Sequence, residues 1–332
     1  MEACPMTEFA LSPDALAAIS VPAGIDATPI TSREQWLSQR KFFVTASVAA
    51  AMFGCHPYVT AYQLWAEKSG LVSEDRVETP AMRRGRLLEP VLLQLLREEF
   101  PTWKIVPCTK FYSDAKARIG ATPDFLATRP DITGLGIIQG KTMGKFAARK
   151  GWTDADGDMA VPTWVGIQAS TEASLTGASW AAVAAMSLGD GGLDLHVEDV
   201  PLLPALVGKL RGLVSDFWWR VATNHPYHMD FNRDAALISQ IYSDDDGSEI
   251  DLSRSNRVAE ILAEREGLKA REKNGSDAEE ARKVIDAEII ATLGNATRGR
   301  LADGRMIEAK TIKRRGYEVQ PSTYRTVKVK AA

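Results

Sequence analysis

Asp124 in "ATPDF", Gln139 in "GIIQGKT" and Lys141 two residues beyond it are the side chains whose types and spacing could do chemistry. Side chains alternate along a strand, so residues 139 and 141 point the same way if "GIIQGKT" is extended. An acid on one strand and an oxygen ligand on the next can share a hard cation such as Mg2+, with the Gly140 carbonyl as a further ligand. Such an ion binds the non-bridging oxygens of a phosphodiester, and a neighbouring lysine can orient or help deprotonate the attacking water. The position two before the lysine is where an acid would serve best, and here it holds Gln139. The same residues also read more simply, as a turn aspartate after Pro123 and a solvated strand edge. Spacing alone leaves both readings open.

The elements that would position these residues follow from periodicity. "SREQWLSQRKFF" predicts a helix capped by Ser32, and "TASVAAAMFG" a short helix capped by Thr45 or Ser47 and stopped at Gly54. "TAYQLWAEKSG" predicts a helix stopped at Gly70. "TPAMRRGRLLEPVLLQLLREEFP" is a long helix whose buried face is expected at Leu87, Leu88, Val91, Leu92 and Leu95. Three sheet strands are then expected at "KIVPCTKFY", "ARIGATPDFLAT" and "GLGIIQGKT", followed by a helix over "PTWVGIQASTEASLTG". "SWAAVAAMSL" and "LDLHVEDV" add two strands, and "LLPALVGKLRGLVSDFWWRVATN" closes the block with a long helix. Helices interleaved with strands make a mixed α/β layer, neither a repeat nor a solenoid.

The remainder is of different composition. "YSDDDGSEIDLS" reads as an acidic linker, residues 254–295 as a charged hairpin of two helices bent near "NGS", and the tail as a small antiparallel sheet with "ADGR" as its turn. The expected organisation is an arm over 1–30, a main domain over 31–230 and a helical and β extension over 231–332.

Bulk properties exclude little but help. Hydrophobic content of 45% and charged content of 25% are ordinary for a globular chain of 332 residues. There is no apolar run of membrane-spanning length and no signal-peptide pattern at the N-terminus, and Cys4, Cys55 and Cys108 suggest neither a disulfide framework nor a zinc site. A cytoplasmic protein is the expectation. The net charge of −3 hides two basic patches, one over Lys141–Lys150 with Lys145 and Arg149, the other over Lys310–Lys330. Each serves equally as a nucleic-acid footprint or a solvated face. Tyr324 and Arg325 in the second are candidates for touching DNA backbone.

The ordered blocks "QWLSQRKFFVTASVAAAMFGCHPYVTAYQLWAEKSG", "MRRGRLLEP", "IGATPDF", "GIIQGKT", "VPTWVGIQ" and "LTGASWAAVAAM" together resemble the YqaJ/lambda-exonuclease family of viral recombination nucleases. The resemblance spans roughly residues 33–200 and implies the restriction-endonuclease-like, PD-(D/E)XK fold: a mixed central sheet flanked by helices. It implies Glu89 as a helix carboxylate completing the metal site, Asp124 as the shared ligand, Lys141 as the catalytic lysine and Gln168 as a helix glutamine positioning water or the scissile strand. Arg40 and Ser47 match positions that hold a 5′-phosphate, and an arginine beside a hydroxyl at a helix start is an anion pocket on physical grounds too. The implied activity is Mg2+-dependent digestion of duplex DNA from a 5′ end, with Mn2+ as a substitute, leaving a 3′ single-stranded tail for recombination. A homotrimeric ring, a single-strand annealing partner and a phage or prophage origin within a bacterial host are implied as well.

Gln139 departs from the family's glutamate. Its amide oxygen still suits Mg2+, but one negative charge is missing. A tolerated ligand, a disabled site and a deliberate replacement all fit the sequence. So does a charge restored by Glu172, which lies four residues after Gln168 on the same helix face. An endonuclease on the same fold and a catalytically impaired DNA-binding protein are the competing functions.

Overall fold

The computed structural model describes residues 21–73, 78–144, 151–153, 156, 159–189, 192–271, 276–313 and 323–330. Along the chain run β1 (Ile25–Pro29), α1 (Arg33–Arg40), β2 (Val44–Thr45), a 3₁₀ helix (Ala46–Phe53), α2 (Ala61–Lys68) and α3 (Pro80–Glu99). Next come β3 (Lys104–Pro107), β4 (Lys110–Asp114), β5 (Ile119–Ala121), β6 (Phe125–Arg129), β7 (Ile132–Gly144), α4 (Thr163–Thr176), β8 (Trp180–Gly189), β9 (Gly192–Val200) and α5 (Pro204–Ala222). The remainder is α6 (Ala235–Ile241), β10 (Glu249–Asp251), α7 (Asn256–Arg271), α8 (Ser276–Leu293), β11 (Arg298–Arg300), β12 (Met306–Lys313) and β13 (Thr323–Lys330). The class is mixed α/β, as the sequence pattern predicts. Two compact units are present, the first from the described parts of Met1–Ala61 and Glu74–His225, the second from Tyr62–Ser73 and Pro226–Ala332.

A five-stranded sheet in the order β3-β6-β7-β8-β9 forms the centre of the first unit. The β7–β8 pair is parallel and the other three pairs are antiparallel. Strand β8 is alanine-rich, and its alternation divides the core. Ala182, Ala184 and Met186 face a cluster with Leu92, Leu96 and Ile138, whereas Ala181 and Val183 face a cluster with Ile137, Val165, Ala169 and Ala173. Small side chains on both faces let α3 and α4 sandwich the sheet. Gly140 is where α3 comes closest: a Cβ there would lie 2.7 Å from Leu92 Cδ2.

Several local expectations change. Helix α3 is capped by Thr79, whose Oγ1 accepts from the Met82 amide at 3.2 Å. Its buried face, however, is Leu92, Leu93 and Leu96, and Leu87 is 55% exposed. Leu88, Val91 and Leu95 are only partly buried against that core. The apolar stripe of this helix is wider than the face the sheet can cover. "KIVPCTKFY" and "ARIGATPDFLAT" each divide between two sheets: β3 and β6 join the central sheet, while β4 and β5 join a second sheet of order β1-β4-β5-β2. The first break comes at Pro107, which has no amide hydrogen to continue a ladder. Residues 25–29, inside the expected arm, form β1 and pair with β4.

The second unit has its own core, in which Val258, Ile261 and Leu262 of α7 meet Ile285, Ile289 and Ile290 of α8 beside Ile307 of β12. The "acidic linker" is part of this unit. Asp245 accepts from Thr297 Oγ1 at 2.5 Å and from the Thr311 amide at 2.7 Å, bonds that hold its carboxyl well below the usual range. Asp246 likewise accepts from the Ser248 amide at 2.8 Å.

Truncating Leu92, which is 1% exposed, should leave a cavity and cost about 2–5 kcal/mol. Leu87→Ala should fall within about 0.5 kcal/mol of the unaltered chain. Urea unfolding of the two variants distinguishes the observed face from the face that periodicity suggests.

Candidate active site

The β6–β7 hairpin brings the site together. Its register pairs Phe125 with Ile138 and Leu126 with Ile137. One step further along the same register, Asp124 falls opposite Gln139. Alternation then sends Asp124, Gln139 and Lys141 to the face covered by α4. That helix is buried on nearly all sides, its polar Gln168 and Glu172 included. Gln168 is 5% and Glu172 1% exposed, so their polar atoms must find partners within the protein.

They find one another. Lys141 Nζ donates to Gln168 Oε1 at 3.0 Å, and Gln168 Nε2 donates to Gln139 Oε1 and to Glu172 Oε1, both at 2.8 Å. Gln139 Nε2 donates to Asp124 Oδ2 and, at 3.2 Å, to the Gly140 carbonyl. The Gly140 amide donates to the same Asp124 oxygen at 2.8 Å. One chain of hydrogen bonds thus joins Asp124, Gln139, Gln168, Lys141 and Glu172. Glu89 joins through charge: among the described residues it makes no hydrogen bond to the network, but Asp124 repels its carboxylate.

Burial sets the protonation states. It raises Asp124, opposed by the Lys141 charge and the Gly140 amide. It lowers Lys141, opposed by Asp124 and Glu172. It pushes Glu172 up to about 8, with Asp124 adding to the effect. Glu89 is pushed up to about 7, first by burial of its carboxyl and then by Asp124, although the residue as a whole stays solvent-accessible; the direction follows from the facing carboxylate alone. Lys141 Nζ also lies 5.5 Å from the centre of the Trp164 ring.

Beside this network, Arg40 Nη2 donates to Ser47 Oγ at 3.1 Å and to Thr45 Oγ1 at 3.3 Å, and the two hydroxyl oxygens lie 3.0 Å apart. The Arg40 guanidinium stacks 4.2 Å from the Trp36 ring, whose Nε1 donates to Thr122 Oγ1 at 3.1 Å. A cavity of about 30 Å3 is lined by Arg40, Thr45, Ser47, Gln168 and Glu172 among others, so the hydroxyl–guanidinium cluster and the network share one space. Glu172 Oε2 is buried without a hydrogen-bond partner.

Sequence reading missed Thr45, Trp36, Thr122 and His56. Thr45 reads as a cap, yet its side chain caps nothing and turns to Arg40. His56 Nδ1 accepts from the amides of Tyr58 and Val59 at 3.1 and 2.9 Å, so its Nε2 carries the proton and donates to the Ser47 carbonyl at 3.1 Å. It braces the turn bearing Ser47; no sequence spacing signals that. Lys145 and Arg149 lie outside the described residues, as do the side chains of Tyr324 and Arg325.

The oxygen donors here suit a hard divalent ion: the Asp124 and Glu89 carboxylates, the Gly140 carbonyl and the Gln139 amide oxygen. Among the described residues no three acidic, histidine or cysteine side chains cluster as a ready-made metal site. The reason is visible at residue 139, where an amide stands between Asp124 and Gln168.

With this geometry in place, the match of residues 35–179 to the YqaJ-like viral recombinase domain takes in the whole network and the hydroxyl–guanidinium cluster. That family model covers under half of the 332-residue chain. Among solved structures the chain is similar to the alkaline exonuclease LHK-Exo of Laribacter hongkongensis, at 21% identity over 58% of this chain and 94% of that one, with a TM-score of 0.46. A phage-related exonuclease of Haemophilus somnus 129PT is similar at 14% identity over 55% and 96% of the two chains, with a TM-score of 0.43. The SOX protein of a SOX–DNA complex is similar at 13% identity over 57% and 67%, with a TM-score of 0.38. No curated protein matches the chain. Among the described residues, no helix of the chain is long and apolar enough to cross a membrane.

Glu172 supplies a pH signature. A carboxyl held near 8 keeps its proton in the folded chain where the unfolded chain, at its ordinary 4.5, has lost it. Its contribution to stability is therefore complete below about 4.5 and declines as pH rises toward 8, by at most about 1.4 kcal/mol per pH unit. Melting temperatures recorded from pH 5 to 8 should fall in the unaltered chain, and Glu172→Gln should flatten that slope.

Proposed function

We propose that this chain is a divalent-metal-dependent deoxyribonuclease that digests duplex DNA from a phosphorylated 5′ end. It releases mononucleotides and leaves a 3′ single-stranded tail. The observation that carries this reading is the cavity shared by the Arg40–Thr45–Ser47 cluster and the Gln168–Glu172 end of the network. A pocket for a terminal phosphate directly beside the hydrolytic residues favours cutting at an end over cutting within a strand.

Asp124, Glu89, Gln139 and the Gly140 carbonyl would hold Mg2+, with Mn2+ as a substitute. When bound, the ion supplies charge against the non-bridging phosphate oxygens and a more acidic water. The chain's own residues do the rest. Lys141, whose burial disfavours the ammonium form, exchanges a proton with water at Nζ, and Gln168 holds that nitrogen through its Oε1. Arg40 offers a guanidinium fork to a terminal phosphate, and the Thr45 and Ser47 hydroxyls add donors. Trp36 stacks on the guanidinium and keeps it from swinging into solvent. The catalytic domain is assigned to residues 31–230, and residues 231–332 to assembly or partner contact. A homotrimer around DNA and a single-strand annealing partner complete the reading, as does action in the cytoplasm of a phage-bearing bacterium.

A linear duplex labelled at either end, incubated with Mg2+ or Mn2+, tests it. Label should leave first from the 5′ end as mononucleotide, covalently closed circles should stay intact, and Lys141→Ala should lower the rate by about 10²–10⁴-fold. Nicking of closed circles would transfer the assignment to an endonuclease. Arg40→Gln should reduce the preference for phosphorylated over unphosphorylated 5′ ends by about tenfold, the worth of one charge-assisted hydrogen bond.

A further inference from the structure

The directions of the side-chain amide hydrogen bonds in the network are set by Lys141. An ammonium has only N–H donors, so Gln168 presents its oxygen to Lys141 Nζ, which donates to it at 3.0 Å. Gln168 must then aim its NH2 at Gln139 and Glu172, as its two 2.8 Å bonds show. Gln139 must in turn present its oxygen to Gln168, which leaves its own NH2 facing Asp124 Oδ2 and the Gly140 carbonyl. Those two oxygens belong to the donor set that suits a divalent ion. The Gln139 amide group thus lies where a cation would lie, its two partly positive hydrogens on the same acceptors.

For Gln139 to offer oxygen to a cation instead, its carboxamide must turn over. Its NH2 would then meet the NH2 of Gln168, two donors face to face. Turning Gln168 as well relieves that clash but sets its NH2 against the N–H groups of Lys141. The conflict ends only when Lys141 lets go of Gln168. We propose that Gln168 is a positioning residue that holds the Gln139 amide as an internal stand-in for the cation, so that ion binding at Asp124 and release of Lys141 are one event. The inference rests on the metal-dependent reading above and adds what that reading lacks, a reason for glutamine at residue 139. A glutamate there would bind the ion outright. The glutamine makes ion binding conditional on rearranging the lysine.

Direct binding of Mn2+ without DNA, followed by the electron paramagnetic resonance of the free ion, tests the coupling. Gln168→Leu removes no cation ligand and no charge. If Gln168 holds the stand-in, this variant binds Mn2+ about tenfold more tightly than the unaltered chain, the equivalent of one net hydrogen bond released. Gln139→Glu binds more tightly still, because it restores a carboxylate. Equal affinity in Gln168→Leu and the unaltered chain, with tighter binding by Gln139→Glu, overturns the coupling and leaves the metal-dependent reading standing. Failure of all three to bind Mn2+ overturns both. Should Gln168→Leu not fold, the side-chain amide resonances of Gln139 and Gln168 in the unaltered chain, followed during titration with Mg2+, replace it. Both must shift with one midpoint; movement of Gln139 alone, or of neither, overturns the proposal.

Discussion

The register of the β6–β7 hairpin is the constraint on which the site depends. Pairing Phe125 with Ile138 and Leu126 with Ile137 buries one isoleucine in each half of the core. A slip of one residue would move both to the wrong face and take Gln139 and Lys141 away from α4. Apolar packing thus fixes where the polar residues point. Asp124 stands opposite Gln139 because the isoleucines beside it have only one comfortable arrangement.

The second half of the site comes from α4, a helix with no solvent face. A helix buried on all sides ordinarily carries apolar residues throughout. This one carries Gln168, which is tolerated because the strand beneath supplies Lys141 and Gln139 as partners, and Glu172, whose partner is Gln168 itself. Such a network is stable only when nearly complete, since an unpaired buried donor or acceptor costs about 1–3 kcal/mol. Its one incomplete member is Glu172 Oε2, which is also the carboxyl that burial drives toward the neutral form. The two facts agree, because a protonated carboxyl asks less of its surroundings than an ionised one.

The hydroxyl–guanidinium cluster shows a different economy. Arg40, Thr45 and Ser47 come from a helix end, a two-residue strand and the start of a 3₁₀ helix. Trp36 backs the guanidinium and His56 braces the Ser47 carbonyl. The cluster is therefore held in place by side chains outside it. Gln168 and Glu172 line the same small cavity as this cluster.

Much of this was legible in the chain. The cap at Ser32, the glycine stops at Gly54 and Gly70, and the alternation in "GIIQGKT" are local signals, and the elements follow them. The i, i+4 spacing of Gln168 and Glu172 correctly implied a shared face, to which the structure adds a bond between them. Where sequence reading failed, the deciding contact lay far along the chain. Nothing local tells which of Leu87 and Leu93 meets the sheet, because both belong to one apolar helix. Nor does any local signal show that a strand-like run changes sheets at Pro107, or that Asp245 pairs with threonines 52 and 66 residues away. The amide of Gln139 is the clearest case. Sequence establishes that a glutamine stands at a ligand position. Which of its two ends faces Asp124 is decided by Lys141 acting through Gln168, and only the tertiary structure brings those three side chains within hydrogen-bonding distance.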